Sequence, residues 1–306
     1  MHRPSGRAGL GFALAMVTVV MWGVLPIGLK VALSGMDALT LTWYRFVAAA
    51  TLLGAVLRLR GSLPRLDLLG RDGWRLLIIA TLGLAANYAL YVFGLDGTNA
   101  GTAQVVIQIA PVLLAVGSIW VFKEGIGRTQ WLGLTVMVAG LVVFSRDQIV
   151  HMLEGLDTYY VGLACIVGAA VSWALYGLAQ KQLLRSLPSA SVMLCIYIGS
   201  AVLYAPFAEP AVIFRMSGAQ LGALVFCIAN MLVAYGTFAE ALAHWDASRI
   251  SAVLALVPLV TLAVVGAAAT AMPTLVAPEP ITVIGVGGAC MVVSGSLLMA
   301  LGRRTR

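Results

Sequence analysis

The chain has 306 residues, of which 61% are hydrophobic and only 10% charged, with a mean hydropathy near +1. Soluble globular domains carry about a quarter charged residues, so this composition excludes them and points to a polytopic membrane protein. A net charge of +7 and a pI of 9.5 would suggest a nucleic-acid partner in a soluble chain, which makes the placement of the cations decisive.

Apolar stretches of about 20 residues, each enough for one helix across the hydrocarbon core, fall at 10–33, 39–59, 74–96, 100–122 and 127–145. A second set follows at 159–181, 189–208, 217–243, 247–271 and 280–302. The first stretch follows Arg3 and Arg7, exceeds a signal-peptide core, and has no small-residue cleavage site behind it, so it reads as an uncleaved first helix. The loops are short. The longest are Arg58–Arg75 and Arg146–Thr158, and the latter separates two halves, 1–150 and 151–306.

The halves repeat each other. Trp22 and Lys30 return as Trp173 and Lys181 with the same spacing, and Tyr88, Ala100 and Pro111 return as Tyr235, Ala247 and Pro258 at one constant offset. Five spans per half force the second copy to insert upside down. The expected fold is therefore all-α, ten transmembrane helices in two inverted five-helix repeats, with a site where the halves meet. With the N-terminus inside, about fifteen Lys and Arg residues face the cytoplasm and only Arg146 and Arg215 face out, which places both termini inside. The positive charge thus reports topology, and no nucleic-acid partner is expected. Cys165, Cys195, Cys227 and Cys290 sit singly in different spans and read as small buried hydrophobes.

Pro111, then Lys123-Glu124, then Gly133 and Gly140 are followed in the second half by Pro258, Glu279, Gly288 and Gly295. This pattern resembles the EamA-type module of the drug/metabolite transporter superfamily, and within it the chain is most similar to the aromatic amino acid exporter branch, the YddG type. The resemblance spans essentially the whole chain. It implies ten helices around a central cavity and export of metabolites, often amino acids, across the bacterial inner membrane. The second copy departs from the pattern in Met272–Pro280, with three prolines where the first copy has a compact Phe122–Arg128 turn; the two acids Glu124 and Glu279 fall on opposite sides.

Charges within the spans are few: Lys30 and Arg45 toward the outer side, and Glu240 toward the inner end of the eighth span. A charge deep in the bilayer is costly and usually functional, although each of these side chains can also snorkel to an interface. The spans carry no mid-membrane Asp or Glu, so a facilitator is expected, with Glu240 the one candidate for proton coupling. Aromatic and amide residues at spacings of three and four share helical faces: Asn87, Tyr88 and Tyr91; Gln104 and Gln108; Trp173, Tyr176 and Gln180. Trp22, Asn230, Tyr235 and Phe238 complete the set. Such a lining suits an apolar or aromatic solute with a polar head, although the same residue types also serve as interface belts and interhelical bonds.

Pro111 and Pro258 lie in mid-span, where the missing N–H opens the backbone; they are expected to mark paired kinks for gating or carbonyl exposure, or static kinks for packing. The four glycines read as points of close helix contact. The function expected is export of neutral amino acids such as phenylalanine, tryptophan, tyrosine and methionine by alternating access, as a monomer in membrane lipid. The alternative is proton-coupled export of lipophilic drugs or other metabolites. An intramembrane enzyme is disfavoured, because no Gly-x-Ser-x-Gly or His-rich motif is present. No cofactor or metal is expected.

Overall fold

The computed structural model describes residues 5–96, 106–123, 126–144, 146, 157–271 and 282–302. Gln104, Glu124 and Glu279 lie outside the described residues, as does the side chain of Lys30. Among the described residues the chain is helical, with no strand. In chain order the helices are α1 (Ala8–Leu33), α2 (Ala38–Leu59), α3 (Arg71–Asp96), α4 (Ile109–Phe122), α5 (Arg128–Phe144) and α6 (Asp157–Leu183). They continue as α7 (Ser189–Tyr204), α8 (Gly218–His244), α9 (Ala247–Leu254), α10 (Val257–Ala271) and α11 (Val283–Leu301).

Local chemistry sets the helix starts. The Asp37 carboxylate accepts the backbone N–H groups of Leu39 and Thr40, both at 2.9 Å, and so caps α2. Ser217 and Gln220 form a reciprocal capping box at the start of α8, and the Thr282 hydroxyl accepts Gly285 N–H at the start of α11. Six helices, α1, α2, α3, α6, α7 and α8, are long and apolar enough to cross a membrane; α4, α5, α11 and the α9–α10 pair are shorter apolar helices. Large apolar side chains such as Leu59, Phe214 and Trp120 stand at the surface, as expected where lipid replaces water as solvent.

The expected ninth span is interrupted. Its residues form α9 and α10 with a turn at Ala255–Leu256 between them. The fourth is broken at a matching place: a turn at Ile107–Gln108 precedes α4. Pro111 and Pro258 therefore lie in the first turn of the helix that restarts, and each span has a discontinuity in place of a smooth kink. The cause is local, since proline has no N–H to offer residue i−4 and its ring clashes with that carbonyl, whereas a first helical turn needs no such donor. The N–H of Ala110 instead closes a tight turn on Ile107 O at 2.9 Å.

Helices pair across the two halves of the chain: α1 with α8, α3 with α6, α2 with α7, α4 with α9, and α5 with α11. Glycines bring some of these backbones into contact. A Cβ built on Gly133 would stand 2.8 Å from Gly295 O, and one on Gly295 would stand 2.7 Å from Gly133 O, so the α5–α11 seam admits no side chain at either position. At the α3–α6 seam, Gly83 plays the same part against Ser172 O, at 2.9 Å. These close pairs leave a wider space between α1, α2, α3, α4 and α6, completed by single residues of α8, α9 and α10.

Candidate functional site

That space is a cavity of about 230 Å³ running from Trp22 and Trp173 toward Leu33 and Ala38 at the α1–α2 turn. Trp22 and Leu33 are eleven residues apart on one helix, so the cavity follows α1 for about 16 Å, at 1.5 Å per residue. Its walls are mostly aliphatic and aromatic, with few polar groups, the usual make-up of a small-molecule site.

The end at Trp22 is closed by packed rings. Trp22 meets Trp173 edge-on at 5.6 Å between centroids, Tyr235 at 5.3 Å and Phe238 at 5.8 Å. Trp173 packs on Phe238 at 5.2 Å, and Tyr176 touches Tyr235 and Phe238, both at 6.1 Å. Tyr88 links this layer through Tyr235 to Phe46, which stacks on Tyr204. Six helices thus contribute to one aromatic layer, where offset and edge-to-face contacts are each worth about 0.5–1.5 kcal/mol beyond burial.

Of the residues singled out in the sequence, Trp22, Asn87, Tyr88, Tyr91, Gln108, Pro111, Trp173 and Tyr235 line the cavity. Tyr176 and Phe238 are fully buried behind that lining. Asn230 stands elsewhere: its side-chain amide donates to Met21 O and ties α8 to α1. Asn87 has a double role, since its amide also donates to Ala169 O at 3.0 Å and fixes α3 on α6. The break before α4 turns Gln108 into the cavity, where its Oε1 is buried without a hydrogen-bond partner. Pro258 is buried just beyond Leu254 and Val257, which are lining residues. The two helix breaks, one from each half, therefore meet the same cavity.

Glu240 does not line it. The carboxylate accepts the hydroxyl of Ser189 and lies 3.2 Å from His244 Nε2, while His244 Nδ1 meets Ser5 Oγ at 2.8 Å. This network joins the starts of α1 and α7 to the end of α8. Above it, Thr18 and Thr237 share a 2.8 Å hydroxyl contact, and Phe12 packs edge-on against Trp245 at 5.9 Å. The α1–α8 seam is shut along this length. Lys181, counted with the cytoplasmic cations from sequence, is buried with its Nζ 4.8 Å from the Phe122 ring centroid.

Arg45 is the residue that helical spacing left unranked. It is 2% exposed and lines the cavity; Nη2 donates to Tyr88 Oη at 3.3 Å, and the guanidinium carbon lies 5.2 Å from that ring's centroid. The signal available in sequence was a cation inside a span; what it lacked was the direction of the side chain. Among the described residues, no group of three or more His, Cys, Asp or Glu is placed to hold a metal ion.

The model of the EamA-like transporter family matches the chain twice, over residues 9–146 and 160–301. The chain belongs to the EamA-like transporter family. Among similar proteins, the uncharacterized inner membrane transporter YhbE of Escherichia coli K12 is 38% identical over 299 residues, covering 97% of this chain and 93% of that protein. An uncharacterized transporter of Haemophilus influenzae is 35% identical over 96% of each chain. A probable amino-acid metabolite efflux pump of Escherichia coli K12 is 24% identical over 96% of this chain and 95% of its own. One solved crystal structure superposes with a TM-score of 0.75 at 18% identity, covering 95% of this chain and 96% of the other, which shows the shared fold. This EamA-like protein is a transporter, not an enzyme, and a multi-pass protein of the bacterial inner membrane.

Proposed function

We propose that this EamA-like transporter exports neutral amino acids, aromatic and hydrophobic ones first, as a monomeric facilitator working by alternating access. The observation that carries the reading is the cavity itself: apolar and aromatic walls with a few amide and hydroxyl groups, closed at one end by the Trp22–Trp173–Tyr235 layer. The 24% relation to a probable amino-acid metabolite efflux pump adds support for the amino-acid class, and the aromatic preference rests on the rings.

The proposed architecture is ten spans in two inverted repeats, 1–150 and 151–306, with both termini inside. The helix pairing supports it. Exchanging the halves carries the α1–α8 pair onto α6–α3 and the α1–α10 contact onto α6–α4. It carries α2–α7 and α5–α11 onto themselves. A pseudo-two-fold axis in the membrane plane produces this arrangement. In that frame the cavity extends to the outer ends of α1 and α2, and the aromatic layer and the Thr18–Thr237 seam lie on the cytoplasmic side. The helix breaks at Pro111 and Pro258 then sit at the cavity as matched hinges, one per repeat.

A proton-coupled exporter of lipophilic cations fits less well, because the described lining residues include Arg45 and no carboxylate. Counterflow of labelled phenylalanine in proteoliposomes, with and without an imposed pH gradient, tests the proposal. Saturable counterflow indifferent to the gradient is expected. No counterflow of any amino acid across a panel would refute amino-acid transport, and flux driven by the gradient would refute the facilitator.

A further inference from the structure

We infer that Arg45 is the substrate-recognition residue of this cavity and that it reads a carboxylate, so that the transported solute is an apolar monocarboxylate whose amino group is secondary. The inference deepens the proposed amino-acid export and rests on it for the choice of probe.

Three observations carry it. First, the Arg45 guanidinium is buried at the cavity wall, and among the described residues no carboxylate lies within ion-pair distance of it. Its contacts are with Tyr88: the phenol oxygen at 3.3 Å and the ring face. Nε is buried with no acceptor. A guanidinium carries five N–H donors in a planar fork that matches a carboxylate edge, and here most of that fork is unspent. A buried, unpaired cation is unfavourable unless an anion completes it.

Second, the cavity is small and mostly apolar, and among its described lining residues Arg45 is the one cation. That suits a monoanion. A phosphate dianion would bring more charge and more acceptor oxygens than this wall has donors to satisfy.

Third, the described lining residues offer no negative charge to an ammonium group. What they offer is the buried, unpartnered Oε1 of Gln108 and the ring faces of Trp22 and Tyr235, weak partners for a cation beside a charged pair. The order of importance follows: carboxylate first, side chain second, ammonium third.

The test compares three ligands built on one phenyl group: phenylalanine, 3-phenylpropanoate, which lacks the ammonium, and phenethylamine, which lacks the carboxylate. Each is titrated against the purified full-length protein by ligand-induced change in melting temperature, and separately as a competitor of phenylalanine counterflow. In the wild type, 3-phenylpropanoate should bind within about tenfold of phenylalanine, and phenethylamine at least tenfold more weakly than either. In Arg45→Gln the carboxylate advantage should collapse to less than about threefold, and Arg45→Lys should restore part of it, which a purely structural arginine would not do. Equal ligand ranking in wild type and Arg45→Gln, preference for phenethylamine, or binding of none of the three overturns the assignment. Binding of 3-phenylpropanoate that depends on Arg45, without phenylalanine transport, upholds the assignment and rejects amino-acid export. Phenylalanine transport that is unchanged in Arg45→Gln does the reverse.

Discussion

Replacing Gly295 by alanine puts one methyl carbon into the tightest seam of the fold. The new Cβ would lie 2.7 Å from Gly133 O and 2.7 Å from Met137 Cα, against about 3.5–4.0 Å for relaxed carbon contacts. Helices α5 and α11 must therefore part by about 1 Å. A gap of that size forfeits a quarter or more of each contact's attraction of about 0.1–0.2 kcal/mol. Leu134, Met137, Val292 and Met299 are buried along this seam. With on the order of twenty cross-seam contacts each, the loss comes to about 3 kcal/mol, within the usual cost of overpacking. Alanine returns up to about 1 kcal/mol in helix propensity, leaving a net loss of about 2 kcal/mol and a fall in melting temperature of roughly 4 °C. Gly287 supplies the control, because it lies in the same helix and a Cβ there meets nothing within 4 Å. Gly287→Ala should keep the propensity gain and melt about 2 °C higher. Intrinsic-fluorescence melting of both variants in one detergent measures the contrast. Equal melting of the two, or Gly295→Ala at or above the wild type, would refute the close-contact reasoning.

Other expected outcomes concern transport. Trp173 is 6% exposed, so Trp173→Ala should cost about 3 kcal/mol of stability and at least fivefold in phenylalanine counterflow per folded molecule; Trp173→Phe, which retains a ring at the cavity end, should recover most of both. Pro258→Ala restores an N–H to the break between α9 and α10 and should straighten it: counterflow is expected to fall while melting temperature holds or rises, and unchanged flux would make the break a packing feature. Glu240 faces Ser189 and His244 and does not line the cavity, so Glu240→Gln should leave counterflow within about twofold of wild type at every imposed pH gradient; loss of a gradient response in that variant would identify it as the coupling group.

The six long apolar helices α1, α2, α3, α6, α7 and α8, the recurrence of Trp22 as Trp173 and of Pro111 as Pro258, and the small residues at 133, 140, 288 and 295 were legible without coordinates. Each is written in local composition or fixed spacing: hydrocarbon thickness sets span length, a missing N–H marks a weak point in a helix, and a glycine marks where a backbone can approach. Direction was less legible. Helical spacing puts Trp173, Tyr176 and Gln180 on one face, yet only Trp173 of these lines the cavity, because that helix is packed on α3 along its length and partly on α4. Asn230 and Asn87 look alike in sequence; one bridges two helices away from the cavity, and the other lines it.

By itself, then, the sequence determined that this is a polytopic membrane protein whose two halves carry matching residues, since hydropathy and residue spacing are properties of the chain read in order. Only the tertiary structure decided which charges are buried and what they face. Arg45 and Glu240 are both single ionisable groups within apolar spans. One is sealed against Tyr88 at a cavity wall, and the other is tied to the ends of neighbouring helices. The difference is set by how α2 and α8 are rotated against their partners, a quantity fixed by packing over many side chains at once and encoded at no single position.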